Sequence, residues 1–158
     1  MSRGLGDVYK RQRTSLYRLA FSITRNSSDA QEAVAEAVCR AYERYPQLRE
    51  KEKLPRWLLK ITANEARRLC QRRGRTVSLD DLPTEPAIPG RETGDDTLWQ
   101  AVQTLPRDQR EAVVLFYYED LPTEEIARIV GTSPGAVRVR LSRAREKLRS
   151  ILKEGDYG

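Results

Sequence analysis

Apolar residues recur every three or four positions along most of this chain, and that period predicts amphipathic α-helices. A first helix is predicted to end near Asn26, with an apolar face of Leu16, Leu19, Ala20 and Ile23. A second helix follows, and Ser28 with Gln31 predicts a capping box at its start. Proline cannot continue a helix, so this one should end at Pro46. Its apolar face consists of Ala30, Ala33, Val34, Ala37, Val38, Ala41 and Tyr42.

Helical periodicity resumes after a charged loop, and a third helix is predicted from about Pro55 to Arg73. The pattern then disappears between residues 76 and 95, where prolines and glycines alternate with acidic residues. Such a composition is typical of a flexible linker. Apolar spacing returns from residue 96 to residue 153. The chain is therefore predicted to be all-α, with two small helical domains at residues 13–75 and 96–153.

Two short helices joined by a tight turn are predicted at the end of the second domain. Gly131 suits a helix C-terminus that needs a left-handed residue. Ser133 suits the N-cap of the next helix, and Pro134 suits its first position, where a missing N–H costs nothing. These residues at the helix ends are typical of a helix-turn-helix motif, so we expect a four-helix domain that ends in such a motif.

The last helix carries an apolar stripe and, opposite it, a polar stripe rich in arginine. Arginine can bind guanine through two hydrogen bonds, serine can donate or accept, and an exposed valine can touch a thymine methyl. The residues expected to contact DNA are Ser133, Arg138, Val139, Arg140, Ser142, Arg143 and Lys147. Arg145 and Arg149 lie on the flanks, where phosphates would be. The alternative is a solvated basic helix of a bundle, but the turn punctuation favours DNA binding.

The outer faces of the second and third helices are polar, as solvated helix faces usually are. On the second helix the acidic bias of this face within a basic protein also permits a protein partner. On the third helix, amide and guanidinium groups recur at helical spacing, and these could hold phosphates or base edges. The residues of that third-helix face are Lys60, Asn64, Arg67, Arg68 and Gln71.

The formal net charge of +6 favours polyanionic partners without choosing among them. The chain has two cysteines and no histidine, which excludes a histidine-based triad or zinc site. Lone cysteines in helical patterns are ordinary residues of a reducing cytoplasm. We find no apolar run of membrane-spanning length and no signal peptide before the first helix. A cytoplasmic protein with no cofactor is expected.

The order of these parts resembles that of the extracytoplasmic-function sigma factors of bacterial RNA polymerase. The motifs that carry the resemblance are the tryptophan-to-asparagine segment Trp57 to Asn64, the segment Leu105 to Glu111 and the terminal Ser142-Arg143-Ala144-Arg145. The similarity extends from Leu16 to Leu152. It departs from the family at Ala35, where glutamine is common, and at Leu54-Pro55, which replaces a more usual aromatic-led pair.

The resemblance implies a role for each polar surface. The outer face of the second helix would dock on core RNA polymerase, through Gln31, Glu32, Ala35, Glu36, Cys39 and Arg40. The loop near residues 48–53 would capture a flipped base of the promoter −10 element, beside a readout helix. The −10 set is Lys51, Lys53, Lys60, Asn64, Arg67 and Arg68. The stripe on the last helix would read the −35 element.

The function that follows is promoter-specific transcription initiation by a factor that is not itself an enzyme. Expected partners are core RNA polymerase, promoter DNA and an anti-sigma factor, without direct membrane insertion. An alternative is a stand-alone helix-turn-helix regulator whose first domain senses a ligand or dimerises. An enzyme acting on nucleic acid is a third class, but the sequence has no visible metal-ligand cluster or nucleophile–base pair.

Residues 1–12 need separate treatment. The segment Asp7 to Gln12 resembles the translated reading frame of a transposon-end sequencing adapter. We therefore predict that residues 1–12 are a sequencing artefact and that their deletion changes stability by less than about 1 kcal/mol. The alternative is a genuine basic arm.

Overall fold

The computed structural model describes residues 3–74 and 96–157, and every regular element in these ranges is helical. The chain divides into two compact units, which are described separately. The linker predicted at residues 76–95 lies outside the described residues. The all-α fold class is confirmed. None of the helices in the described ranges has both the length and the apolar composition that crossing a membrane requires.

Between residues 3 and 74, the first unit contains three α-helices: α1 (Arg3–Thr24), α2 (Ser27–Arg44) and α3 (Leu54–Arg73). Two 3₁₀ turns, Tyr45–Gln47 and Lys51–Lys53, connect α2 to α3. Each helix packs against the other two. The face of α2 in the core is built mainly from alanine, so the neighbouring helices can approach it closely. The core of this unit includes Leu16, Leu19, Ile23, Ala30, Ala33, Ala37, Ala41, Leu58 and Leu59.

Two expectations about α2 are wrong. Asn26, rather than Ser28, is the N-cap, and its Oδ1 accepts a hydrogen bond from the Asp29 backbone N–H at 2.9 Å. The helix therefore begins two residues earlier than a Ser28 cap would allow. Tyr42 was placed on the apolar face but is 61% exposed, whereas the adjacent Ala41 is fully buried, so Tyr42 lies outside the buried stripe.

Residues 3–12 are helical and belong to the first unit, although the first domain was predicted to begin at residue 13. That residues 1–12 are a sequencing artefact stays a prediction. Helix α1 begins at Arg3 without a break at residue 12, so the first domain starts earlier than residue 13. Leu5 is only 2% exposed. The Gln12 Nε2 donates a hydrogen bond to the Pro55 carbonyl at 3.0 Å. Leu5 is thus part of the core of the unit, and the Gln12 contact ties the segment to α3.

In the described part of the second unit, residues 96–157, there are four α-helices, as predicted: α4 (Asp96–Gln103), α5 (Arg107–Val113), α6 (Thr123–Val130) and α7 (Pro134–Tyr157). Helix α5 continues as a π-helix over Val114–Tyr118. Helices α4, α5 and α6 all pack against α7. The core contains Trp99, whose ring meets that of Tyr118 edge-on at 5.6 Å between centroids.

Candidate nucleic-acid interface

The turn between α6 and α7 has the geometry that its sequence predicts. Gly131 adopts the left-handed conformation, with φ of 77°, and its N–H donates to the Ala127 carbonyl at 2.8 Å. The Ser133 Oγ accepts a hydrogen bond from the Ala136 N–H at 3.1 Å, which confirms the N-cap. Both helix ends at the turn are thus satisfied locally, and the start of α7 is held at a defined angle to α6.

The two faces of α7 are divided as the apolar spacing predicts. Val137, Leu141, Ala144 and Leu148 are buried, and Ile126 and Ala127 of α6 are buried with them. The opposite stripe faces solvent. Its exposed residues are Gly135, Arg138, Val139, Ser142 and Arg143.

Val139 is the informative member of this stripe, because its side chain is apolar and 47% exposed. Arg138, Ser142 and Arg143 surround it at helical spacing. An apolar contact flanked by guanidinium and hydroxyl groups is the chemistry that reads base edges in a major groove. The surface formed by these residues is called the α7 stripe below.

The basic residues that flank the α7 stripe differ in their surroundings. Arg140 is half-buried and its Nε lies 3.7 Å from Oδ2 of Asp108 on α5. The Arg145 Nε donates to the Tyr117 hydroxyl at 2.6 Å, and its guanidinium lies over the rings of Phe116 and Tyr117. Arg145 therefore contacts the π-helix, and its place on the phosphate-facing flank stays a prediction. Lys147 and Arg149 are exposed.

In the first unit, the predicted docking face of α2 faces solvent. Its exposed members are Gln31, Glu32, Ala35, Glu36 and Cys39. Arg40 is half-buried, because its Nε reaches across to Oε2 of Glu65 on α3 at 2.6 Å. Tyr42 adds an exposed ring near the end of the same helix, which the sequence pattern had assigned to the core.

The outer face of α3 also has the predicted orientation, with Lys60 and Asn64 exposed. The Asn64 Oδ1 accepts a hydrogen bond from Nη1 of Arg67 at 3.1 Å. Arg68 is exposed, and its Nη1 lies 2.9 Å from Oε2 of Glu65. These side chains form one polar surface along α3.

The loop before α3 is organised around Lys51. Its Nζ donates to the carbonyls of Tyr45 and Leu48, at 2.8 and 2.6 Å, and lies 4.2 Å from the centre of the Tyr45 ring. This ammonium group therefore contacts the protein itself, where the sequence analysis assigned it to DNA. Lys53 pairs with Glu50 at 2.7 Å on the exposed side of the turn.

A small cavity of about 230 Å³ opens beside this loop. Its lining combines cationic, amide and aromatic groups, which are Arg44, Gln47, Leu48, Arg49 and Trp57. An indole ring beside a guanidinium offers a stacking surface and hydrogen-bond donors for an unstacked base. Arg44 and Gln47 precede this loop on another element, so the binding site predicted from the sequence did not include them.

Comparison with known proteins shows which family these two units represent. A profile of sigma-70 region 2 matches residues 8–76, and a profile of sigma-70 region 4 matches residues 95–148. Sigma factor SigV of Bacillus subtilis is 32% identical over 142 residues, which are 89% of this chain and 86% of SigV. The chain belongs to the sigma-70 family.

Within the sigma-70 family, other comparisons cover nearly the whole chain. The extracytoplasmic-function sigma factor SigE of Mycolicibacterium smegmatis is 29% identical over 92% of this chain, but the match spans only 60% of SigE. The structure of the sigma factor RpoE of Bartonella quintana, solved with the anti-sigma factor NepR, superposes with a TM-score of 0.75. That match has 28% identity and covers 93% of this chain and 97% of RpoE.

Proposed function

We propose that this sigma factor binds core RNA polymerase and directs promoter-specific initiation by reading two promoter elements, one with each unit. The observation that carries the proposal is the capped helix-turn-helix with the exposed α7 stripe, in a chain that also contains region 2. A stand-alone regulator would have a first domain that senses a ligand or dimerises, in place of a region 2 domain. The region 2 match across residues 8–76 favours the sigma factor.

The α7 stripe is proposed to read the −35 element. Arg138, Ser142 and Arg143 would contact base edges, and Val139 would contact a thymine methyl. The Ser133 hydroxyl caps α7 and is therefore already occupied. The backbone of Ser133 and of the turn would be the part that lies near the phosphates. Arg140 and Lys147 would supply charge on the flanks.

The first unit is proposed to read the −10 element in its opened form. Lys60, Asn64, Arg67 and Arg68 form the polar surface of α3 that would follow the strand. The cavity beside Trp57 would accept an unstacked base, and the energy of stacking in the protein would offset the energy of unstacking in DNA. Lys51 would shape this cavity from inside the loop, while Lys53 would face the phosphates.

The outer face of α2 is proposed to dock on core polymerase. Gln31, Glu32, Ala35, Glu36 and Cys39 form a continuous exposed surface with Arg40 at its edge. The core enzyme would then supply all of the chemistry, so this protein would act as an initiation factor and not as an enzyme. A factor with these partners would work in the cytoplasm.

An anti-sigma factor is proposed as a second protein partner. The similarity to RpoE, whose structure contains the anti-sigma factor NepR, supports this proposal. Such a partner would compete with core polymerase or DNA for the surfaces described above.

The test is reconstitution with purified bacterial core polymerase. Gel filtration should give a 1:1 complex, and run-off transcription should start at defined promoters only when the factor is present. Specific binding to an operator without core, together with no initiation when core is added, would support the stand-alone regulator instead.

A further inference from the structure

Glu65 of α3 is a buried acid between two arginines that belong to different proposed surfaces. Its side chain is 7% exposed, and the single oxygen Oε2 lies 2.6 Å from Nε of Arg40 and 2.9 Å from Nη1 of Arg68. Arg40 comes from α2, across the interface, whereas Arg68 is one turn further along α3. The carboxylate therefore connects the two helices as well as the two arginines.

Burying a carboxylate is costly unless charge-assisted hydrogen bonds compensate for lost hydration. The Arg68 Nη1 donates such a bond, and the Arg40 Nε forms an ion pair with the same oxygen, yet the side chains remain 51% and 33% exposed, for Arg68 and Arg40 respectively. Each guanidinium thus lies against Glu65 while part of the side chain remains at the surface, and the Arg40 Nε also lies 3.7 Å from Oε2 of Glu36. This arrangement is suited to holding a charged group in one orientation while it contacts something else.

We propose that Glu65 is a positioning residue that orients Arg68 toward the −10 element, with Arg40 fixing the carboxylate from α2. The inference rests on the proposed function of α3. A free arginine side chain must lose rotamer freedom when it binds, and tethering removes part of that loss in advance. A tethered guanidinium also discriminates between bases, because only one base edge is presented in its hydrogen-bonding plane.

The first experiment compares Glu65→Gln, Arg68→Met and the double variant in holoenzyme formed at saturating core polymerase. Initiation is measured on matched templates with an intact and a substituted −10 element. We expect each single variant to reduce discrimination by about tenfold, the scale of one well-placed arginine contact. The double variant should lose no more than Arg68→Met alone, because Glu65 acts through Arg68.

Salt dependence separates positioning from a merely structural role. Without its acid, Arg68 can move to a phosphate, so Glu65→Gln should steepen the logarithmic salt dependence of DNA binding by about one counterion. Arg68→Met should make the logarithmic salt dependence of DNA binding less steep. Glu43→Gln is the control, because it neutralises an exposed acid of α2 outside the proposed contacts. It should leave the discrimination between templates unchanged, and it should alter the number of counterions only through its small effect on net charge.

Thermal unfolding of each variant shows whether it is folded. If Glu65→Gln does not fold, Glu65→Asp keeps the charge but shortens the side chain, and it should lose discrimination in part. Unchanged discrimination in a folded Glu65 variant, or additive losses in the double variant, would overturn the inference. Failure of the unaltered protein to initiate with core polymerase would overturn the proposed function instead.

Discussion

At the scale of single residues, the α7 stripe predicts two different responses to loss of charge. Arg143→Ala should weaken recognition of one −35 base pair by about 1–3 kcal/mol, because a specific base contact is lost. Lys147→Ala should act weakly and equally on all sequences. Binding titrations on single-base −35 variants at several salt concentrations measure both effects. Equal losses on every sequence for both variants would mean that the stripe does not read bases.

The two lysines of the loop before α3 give a second comparison. Lys51→Met removes two charge-assisted hydrogen bonds to backbone carbonyls, so it should lower the free energy of unfolding by about 1 kcal/mol at this exposed site. Lys53→Met removes an exposed pair with Glu50 and should cost less than about 0.5 kcal/mol. Urea unfolding measures the difference. Equal stabilities would show that Lys51 does not organise the loop.

Apart from Tyr42, sequence spacing predicted which side of α2 and α7 the named residues face, but not which partner each one finds. The exposed positions of the α7 stripe and of α2 follow directly from a period of 3.6 residues. The contact of Lys51 with two carbonyls depends on how the loop folds back, and the contact of Arg40 with Glu65 depends on how α2 packs on α3. Sequence spacing could have indicated only the ion pair between Glu65 and Arg68, because residues three apart on one helix are neighbours.

At the scale of elements, the start of α2 gives a test of which residue caps it. Asn26→Ala should lower the free energy of unfolding by about 1 kcal/mol, because the Asp29 N–H loses its acceptor. Ser28→Ala should change it by less than about 0.5 kcal/mol, since alanine is a good helix former at an internal position. Thermal or urea unfolding of the pair decides between the two caps. A larger decrease in the free energy of unfolding for Ser28→Ala would show that Ser28 caps the helix, as the capping box predicts.

Helix boundaries were predictable where glycine or proline marks them, as at Gly131 and Pro134. They were less so where several capping residues stand in a row, as at Asn26, Ser27 and Ser28. All three can accept the hydrogen bond, and the end of α1 at Thr24 decides which one is in an extended conformation. No local sequence signal indicated the π-helix, which ends at Tyr118, beside the Trp99 ring.

At the scale of the whole molecule, the first helix is longer than its most strongly periodic part. Leu5→Ala should lower the free energy of unfolding by about 2 kcal/mol, since its side chain is buried against the rest of the unit. Lys10→Ala, at an exposed position of the same segment, should change it by less than about 0.5 kcal/mol. Urea unfolding compares them. Two neutral substitutions would mean that residues 3–12 do not contribute to the core.

The division into two helical units was predictable because a stretch without periodicity separates two stretches that have it. The start of the first unit was not, because the adapter-like segment suggested that nothing before residue 13 belongs to the fold. Leu5 and Gln12 nevertheless pack and bond as helix residues do. Residues that favour a helix can fold as part of this unit even if their sequence derives from an adapter.

The π-helix also has a consequence for how related sequences are aligned. A π-turn holds one more residue than an α-turn, and the Glu119 N–H accordingly bonds to the Val114 carbonyl, five residues back, at 3.2 Å. Losing one residue from 114–118 would turn this segment into an ordinary α-helix and rotate Tyr118 away from the Trp99 ring. A relative that is one residue shorter here should therefore keep the helix-turn-helix but fill the space beside its tryptophan with a different side chain.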